Sequence, residues 1–134
     1  MRVLTFVLTA LLVASCGDNP LGPSGIKENT WKLESVERAG SPTIQAPNDR
    51  YTLRLNNNGT LSVQADCNQC TATYTLNGSA LTIGPLRCTS ISCGAGSIDG
   101  TYANLLTGTS QVETSDSHSV LVIRNSVATL RFRN

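Results

Sequence analysis

Between Tyr51 and Pro85, apolar and polar residues alternate in four short runs that an Asn-Gly pair interrupts twice. Tyr51, Leu53 and Leu55 alternate with Thr52 and Arg54. Asn56-Asn57-Asn58-Gly59 follows, and then Leu61, Val63 and Ala65 alternate with Ser62 and Gln64. Thr73-Tyr74-Thr75-Leu76, Asn77-Gly78 and Ala80-Leu81-Thr82-Ile83-Gly84-Pro85 repeat the scheme. A period of two sends successive side chains to opposite faces of a strand, and Asn and Gly accept the positive φ of tight turns. Two β-hairpins in succession are expected. Hairpins joined in this way make a meander, and a meander of this length tends to curl and close to hide its edges.

The flanks agree with that reading. Thr30 to Glu37 begins as strict alternation, with Trp31 and Leu33 on one face, until Val36 breaks the phase and predicts a bulge or the strand's end. Ser41-Pro42 and Ala46-Pro47-Asn48-Asp49 mark a loop. Ser97 to Thr107 differs: Ile98, Tyr102, Leu105 and Leu106 fall on one helical face, with Ser97 placed to cap it and Gly108 to end it. Val120-Leu121-Val122-Ile123, a turn at Arg124-Asn125-Ser126, and Val127 to Phe132 return to strands. The chain holds 16 Thr, 14 Ser and 11 Asn in 134 residues, a composition suited to strands and turns rather than a helical bundle. The expected class is β-dominated α+β. About eight strands would form a curled antiparallel sheet with one short helix.

The first fifteen residues read as an address. Arg2 precedes an apolar run from Val3 to Val13, and small Ala14 and Ser15 lead to Cys16. The run is too short for a permanent span, which needs about 20 residues, and it fits a signal peptide. Val13-Ala14-Ser15-Cys16 is similar to a bacterial lipobox, which implies cleavage before Cys16 and lipidation of its thiol. Several acyl chains on one residue anchor stably where a single chain is marginal. Gly17, rather than Asp, follows Cys16, which resembles outer-membrane cargo if the source has two membranes. Gly- and Pro-rich residues then read as a tether. The boundaries expected are 1–15 for the signal peptide, 16–29 for the lipidated Cys and tether, and 30–134 for the folded domain.

Charge excludes one class of partner. The chain has 10 Lys+Arg and 9 Asp+Glu, and losing Arg2 with the signal peptide leaves it neutral. No basic excess is available to neutralise phosphates, so nucleic acid is not an expected partner.

Four cysteines remain beyond Cys16: Cys67 and Cys70, then Cys88 and Cys93. An exported compartment favours disulfides over a zinc knuckle, and the strand-like flanks of Cys67 and Cys70 do not suit a thioredoxin-like pair. A turn at Asn77-Gly78 sets a register in which paired numbers sum to about 155. Cys70 with Cys88 and Cys67 with Cys93 both lie within a few residues of it. Pairing each cysteine with its near neighbour closes only small loops. The nested pairing is feasible on these grounds, and the crossed one stays open.

With these residues in hand, the chain resembles the META domain, or HslJ-like, family of small bacterial exported proteins and lipoproteins. The likeness rests on Thr30-Trp31-Lys32-Leu33, Gly59-Thr60-Leu61-Ser62, Cys67-Asn68 with Tyr74, Leu81-Thr82-Ile83-Gly84-Pro85 leading into Thr89 and Cys93, and Leu130-Arg131-Phe132. It covers about residues 29 to 133. The resemblance implies a Cys67–Cys93 pair, which leaves Cys70 for Cys88, and a curled, partly open antiparallel barrel with a helix packed on it. Val63, Asp66 and Ala72 stand where the family often has Gly, so local backbone detail there departs from its pattern. Functionally it implies envelope or stress-associated roles without enzymatic activity.

The residues themselves offer no catalytic constellation. His118, the single histidine, sits within Thr114-Ser115-Asp116-Ser117-His118-Ser119, where sequence neighbours cannot build a triad. Glu34, Glu37, Asp49, Asp66, Asp99, Glu113 and Asp116 are scattered, and neither a metal site nor a cofactor is expected. Asn58-Gly59-Thr60 and Asn77-Gly78-Ser79 match glycosylation acceptors but read as turn chemistry. Trp31 reads as a core anchor rather than a stacking platform. Two functions remain expected. One is a non-catalytic, membrane-anchored lipoprotein that binds another envelope protein or supports envelope assembly; the other is a small barrel holding an apolar or lipid-like ligand inside. A filled interior favours the first, and an apolar cavity of roughly 300 Å³ or more favours the second.

Overall fold

The computed structural model describes residues 25–47 and 49–134; the expected signal peptide, the lipobox-like residues and Cys16 lie outside the described residues. The first hairpin forms where the alternation placed it. Its strands are β3 (Tyr51–Leu55) and β4 (Thr60–Ala65), with Leu55 opposite Leu61 and Leu53 opposite Val63. Gly59 takes φ +81°, and Asn58 Oδ1 accepts from the Thr60 amide at 3.0 Å, so the Asn58 side chain is committed to the turn.

The second hairpin joins β5 (Asn68–Asn77) to β6 (Ala80–Ile83), but its turn sits one residue later than expected. Asn77 pairs with Ala80, so the two loop residues are Gly78 and Ser79. Gly78 has φ +59° while Ser79 has none in the positive region, the pattern of a type II′ turn with Gly at its first central position. Paired numbers therefore sum to 157, as in Tyr74 with Ile83.

β1 (Trp31–Arg38) shows the break in phase as a bulge between Leu33 and Ser35, and then continues to Arg38. The C-terminal part comprises β8 (Gly108–Ser115), β9 (Val120–Arg124) and β10 (Ala128–Arg133). β1 pairs with β3 on one side and with β10 on the other, placing Leu33 opposite Phe132. The sheet closes. Its ring runs β1-β3-β4-β5-β6-β8-β9-β10, eight antiparallel strands, where a partly open barrel was expected. Two-residue strands β2 (Ile44–Gln45) and β7 (Arg87–Cys88) hang on β1 and β5 outside this ring.

An eight-stranded barrel is just wide enough for side chains to fill it. Trp31, Leu33, Leu53, Leu55, Leu61, Leu81, Leu121, Leu130 and Phe132 all point inward and are at most 1% exposed. A water-sized hole beside them would expose their surface, so the interior they line is a packed core.

The helix α1 (Asp99–Leu106) contributes Tyr102, Leu105 and Leu106 to that core. The Tyr102 ring meets Tyr51 edge-on at 5.5 Å between centroids, and its hydroxyl donates to the Thr52 carbonyl at 3.1 Å. The N-cap position falls to Ile98, not Ser97. Ser97 sits one residue earlier, and its hydroxyl accepts from the Asp99 amide at 3.3 Å.

Residues 25–29, expected as part of a tether, pack on the domain. Ile26 is 2% exposed, and its carbonyl accepts the Trp31 indole N–H at 2.8 Å. Lys27 bridges to Leu55, and Glu28 accepts from the Asn57 amide and from Arg54, each at 2.6 Å. Residues 25–29 belong to the folded domain. Apolar Ile26 found a place in the core that a reading of Gly and Pro content overlooked.

Candidate functional site

At the turn between β4 and β5 the backbone reverses through Asp66, a buried residue at φ +58°. Its carboxylate accepts from Arg50 Nε at 2.8 Å and from the Tyr51 hydroxyl at 3.3 Å. The Tyr51 oxygen in turn accepts the Ile98 amide at 3.0 Å, while Ser97 donates to Asp99 at 3.2 Å. Asn68 completes the cluster. Its Oδ1 accepts from the Thr89 hydroxyl at 2.9 Å and the Ile91 amide at 2.8 Å. Its Nδ2 donates to the Ile91 carbonyl at 2.9 Å and to Asp99 at 3.0 Å.

Two of the acidic residues that looked scattered are thus joined, since Asp66 and Asp99 share partners in one network. The signal that could have found it was the cysteine pairing, because closing Cys67 on Cys93 brings residues 66–68 to the segment leading into the helix. Chemically the network is closed on itself. No buried side-chain nitrogen or oxygen among the described residues lacks a partner.

The Ser97 hydroxyl, the Arg50 guanidinium and the Tyr51 hydroxyl hold Asp66 below the ordinary carboxylate value of 3.8. A carboxylate depressed in the folded state stabilises above its unfolded value, and that contribution is lost as pH falls through the folded value. Urea midpoints measured from pH 6 down to pH 2 are expected to fall below about pH 4. Asp66→Asn should flatten that decline and lower the midpoint at neutral pH.

Cys67 is bonded to Cys93, and Cys70 to Cys88, the nested arrangement, with Cα separations of 5.5 and 4.0 Å. Cys70 pairs directly opposite Cys88 in the ladder, and Cys67–Cys93 continues beyond it. Together they fasten the glycine-rich segment 89–98 to the end of the second hairpin.

The remaining sequence candidates fall elsewhere. Trp31 is fully buried, a core anchor. His118 lies in the turn between β8 and β9, where Asp116, Ser117 and His118 take φ of +50°, +55° and +69°. Its carbonyl accepts from Asn134 Nδ2 at 3.2 Å, and a Cβ on Gly25 would lie 3.5 Å from its own. Among the described residues no three His, Cys, Asp or Glu side chains group as metal ligands.

One concavity lies on the outside of the barrel. A groove of about 500 Å³ crosses β4 and β5, lined by Thr60, Ser62, Thr71, Thr73, Pro85 and Arg87. Leu61, Val63 and Cys70 point inward, so the alternating Thr and Ser residues must face out. Asn56 Nδ2 donates to Thr60 Oγ1 and Ser62 Oγ, at 3.0 and 3.2 Å, and fixes two of these hydroxyls. A smaller hollow of about 270 Å³ holds Lys32, Glu34, Asp49 and Arg133. There Lys32 pairs with Asp49 at 2.6 Å and Arg133 with Glu34 at 2.7 Å, leaving no net charge to recruit a ligand.

Solved structures share the architecture. The NMR structure of a protein from Burkholderia xenovorans aligns over 97% of each chain at 23% identity and a TM-score of 0.69. The crystal structure of a lipocalin-like protein from Bacteroides uniformis aligns over 86% of this chain and 98% of its own, at 17% identity and a TM-score of 0.54. A crystal structure from Bacteroides eggerthii aligns over 79% and 97%, at 15% identity and a TM-score of 0.54. At these identities the likeness speaks for the fold. No curated protein matches the sequence. The META domain pattern matches residues 24–134, from the buried Ile26 segment through the closing strand, and on that match the chain belongs to the META domain family.

Proposed function

We propose that this META domain is the non-catalytic, protein-binding part of a membrane-anchored envelope lipoprotein, tethered through Cys16. The packed interior carries the reading. With Leu53, Leu61, Leu121 and Phe132 filling the barrel, recognition falls to the outside, where the β4–β5 groove offers a concave surface of about 500 Å³. An apolar ligand held inside would have to displace core side chains. Cys16 and the residues before it supply the anchor, and the two disulfides suit an oxidising compartment.

Native mass spectrometry of the protein taken from its own envelope tests this. The expected result is a protein adduct that Thr71→Arg with Thr73→Arg reduces at least tenfold and that Glu37→Arg on β1 leaves intact. A stoichiometric small apolar molecule, retained by the groove variant, would overturn it. Labelling with a palmitate analogue should mark the wild type and spare Cys16→Ala. His118→Ala should be silent in any envelope phenotype that a deletion produces.

A further inference from the structure

The two disulfides differ in what surrounds each sulfur, and the difference has a chemical direction. Cys67 is exposed, at the tip of the β4–β5 turn. Cys93 Sγ accepts the Cys67 amide at 3.2 Å, and Asn68 Nδ2, which shares its two hydrogens with the Ile91 carbonyl and Asp99, lies 3.4 Å from it. Asn68 is itself fixed by Thr89, Ile91 and Asp99, so its amide is held in place before any reaction. In the other pair Cys70 is 2% exposed and belongs to the apolar core, while Cys88 lies at the surface.

We propose that Cys67–Cys93 is a thiol–disulfide exchange site that accepts electrons from a dithiol, with Cys67 the sulfur attacked and Cys93 the leaving thiolate. One thiolate of the dithiol attacks Cys67 Sγ. A mixed disulfide forms there, the Cys67–Cys93 bond breaks, and its electron pair stays on Cys93, where the Cys67 amide and the nearby Asn68 Nδ2 stabilise the charge. The dithiol's second thiolate then attacks its own sulfur in the mixed disulfide and expels the Cys67 thiolate, which takes up a proton from water. Two electrons pass to the protein, and the dithiol leaves as a cyclic disulfide. A leaving sulfur with a lower pKa departs faster, and hydrogen bonds to the charged form lower that pKa.

The charged groups around Cys93 act against one another. Asp99 opposes a thiolate, but the Asn68 amide stands between that carboxylate and the sulfur, donating to the one and lying 3.4 Å from the other. Asp66, next to Cys67, is paired with Arg50, which offsets it. The inner pair has no equivalent route. Attack on Cys88 would expel a Cys70 thiolate into the apolar core, and Cys70 itself is out of reach of a solvent thiol.

The test uses the full chain carrying Cys16→Ala, equilibrated in graded glutathione redox buffers, quenched with acid, alkylated and mapped by peptide mass spectrometry. Glutathione has one thiol, so it also traps the mixed disulfide. When half of Cys67–Cys93 is reduced, less than a tenth of Cys70–Cys88 should be. The glutathione adduct should sit on Cys67 at least tenfold over Cys93. Adding Cys67→Ser keeps the backbone N–H at that position and frees Cys93, whose thiolate absorbance at 240 nm should titrate at least one pH unit below the usual value of about 8.5. Both pairs opening together, an adduct mainly on Cys93, or a Cys93 midpoint at or above the usual value would each overturn the proposal. Should Cys67→Ser not fold, the order of opening and the adduct position in the unsubstituted pair still decide it.

Discussion

Trp31→Ala is expected to remove about 3–5 kcal/mol, the usual loss for emptying a large aromatic site in a core. A domain of this size holds only about 5–15 kcal/mol in all, so the variant should be partly or wholly unfolded at 37 °C. The size of the effect follows from its contacts. Trp31 is fully buried, sits opposite Leu53 where β1 meets β3, and donates its indole N–H to the Ile26 carbonyl. Alanine would leave a hole at a barrel seam and an unpartnered carbonyl in the segment that leads into the domain. Urea unfolding followed by tyrosine fluorescence reads the loss. A cost under about 1 kcal/mol would mean that the seam closes without it.

Replacing Cys67 and Cys93 together by Ala should cost about 3 kcal/mol, because their sequence separation of 26 closes a long loop in the unfolded chain. That corresponds to a fall of about 10 °C in the melting temperature. The Cys70–Cys88 loop, with a separation of 18, lies inside the first and is already partly constrained, so its removal should cost less. Calorimetry on the two double variants ranks them. The reverse order would show that the buried Cys70 sulfur matters more through packing than through the link.

How far residues announced this structure depends on where the information lay. Both hairpins could be read because alternation and Gly at the turn are local signals, as at Leu53, Leu55, Leu61 and Val63. The second turn slipped by a residue because Asn77-Gly78 and Gly78-Ser79 are both sound turn pairs, and only the type II′ geometry separates them. β8 escaped notice. Along Gly108–Ser115 the inward positions are Ser110, Val112 and Thr114, so the core face carries a single large apolar side chain. Closure could be expected of a long meander, but not which strands meet, because the pairing of Leu33 with Phe132 joins residues far apart in the chain. The polar cluster followed the same rule. Asp66 and Asn68 are adjacent to a legible cysteine, but Asp99 and Ser97 reach them only through the fold.

The closing seam also orders events in time. β1 is the first of the described ring strands in the chain and its long partner β10 is the last, so the ring cannot shut until β10 has been made. Contacts so distant in sequence make folding slow, and until then β1 and β9 each present a free edge. Free edges of that kind pair with other chains, so truncation before Ala128 should yield aggregate rather than a smaller domain.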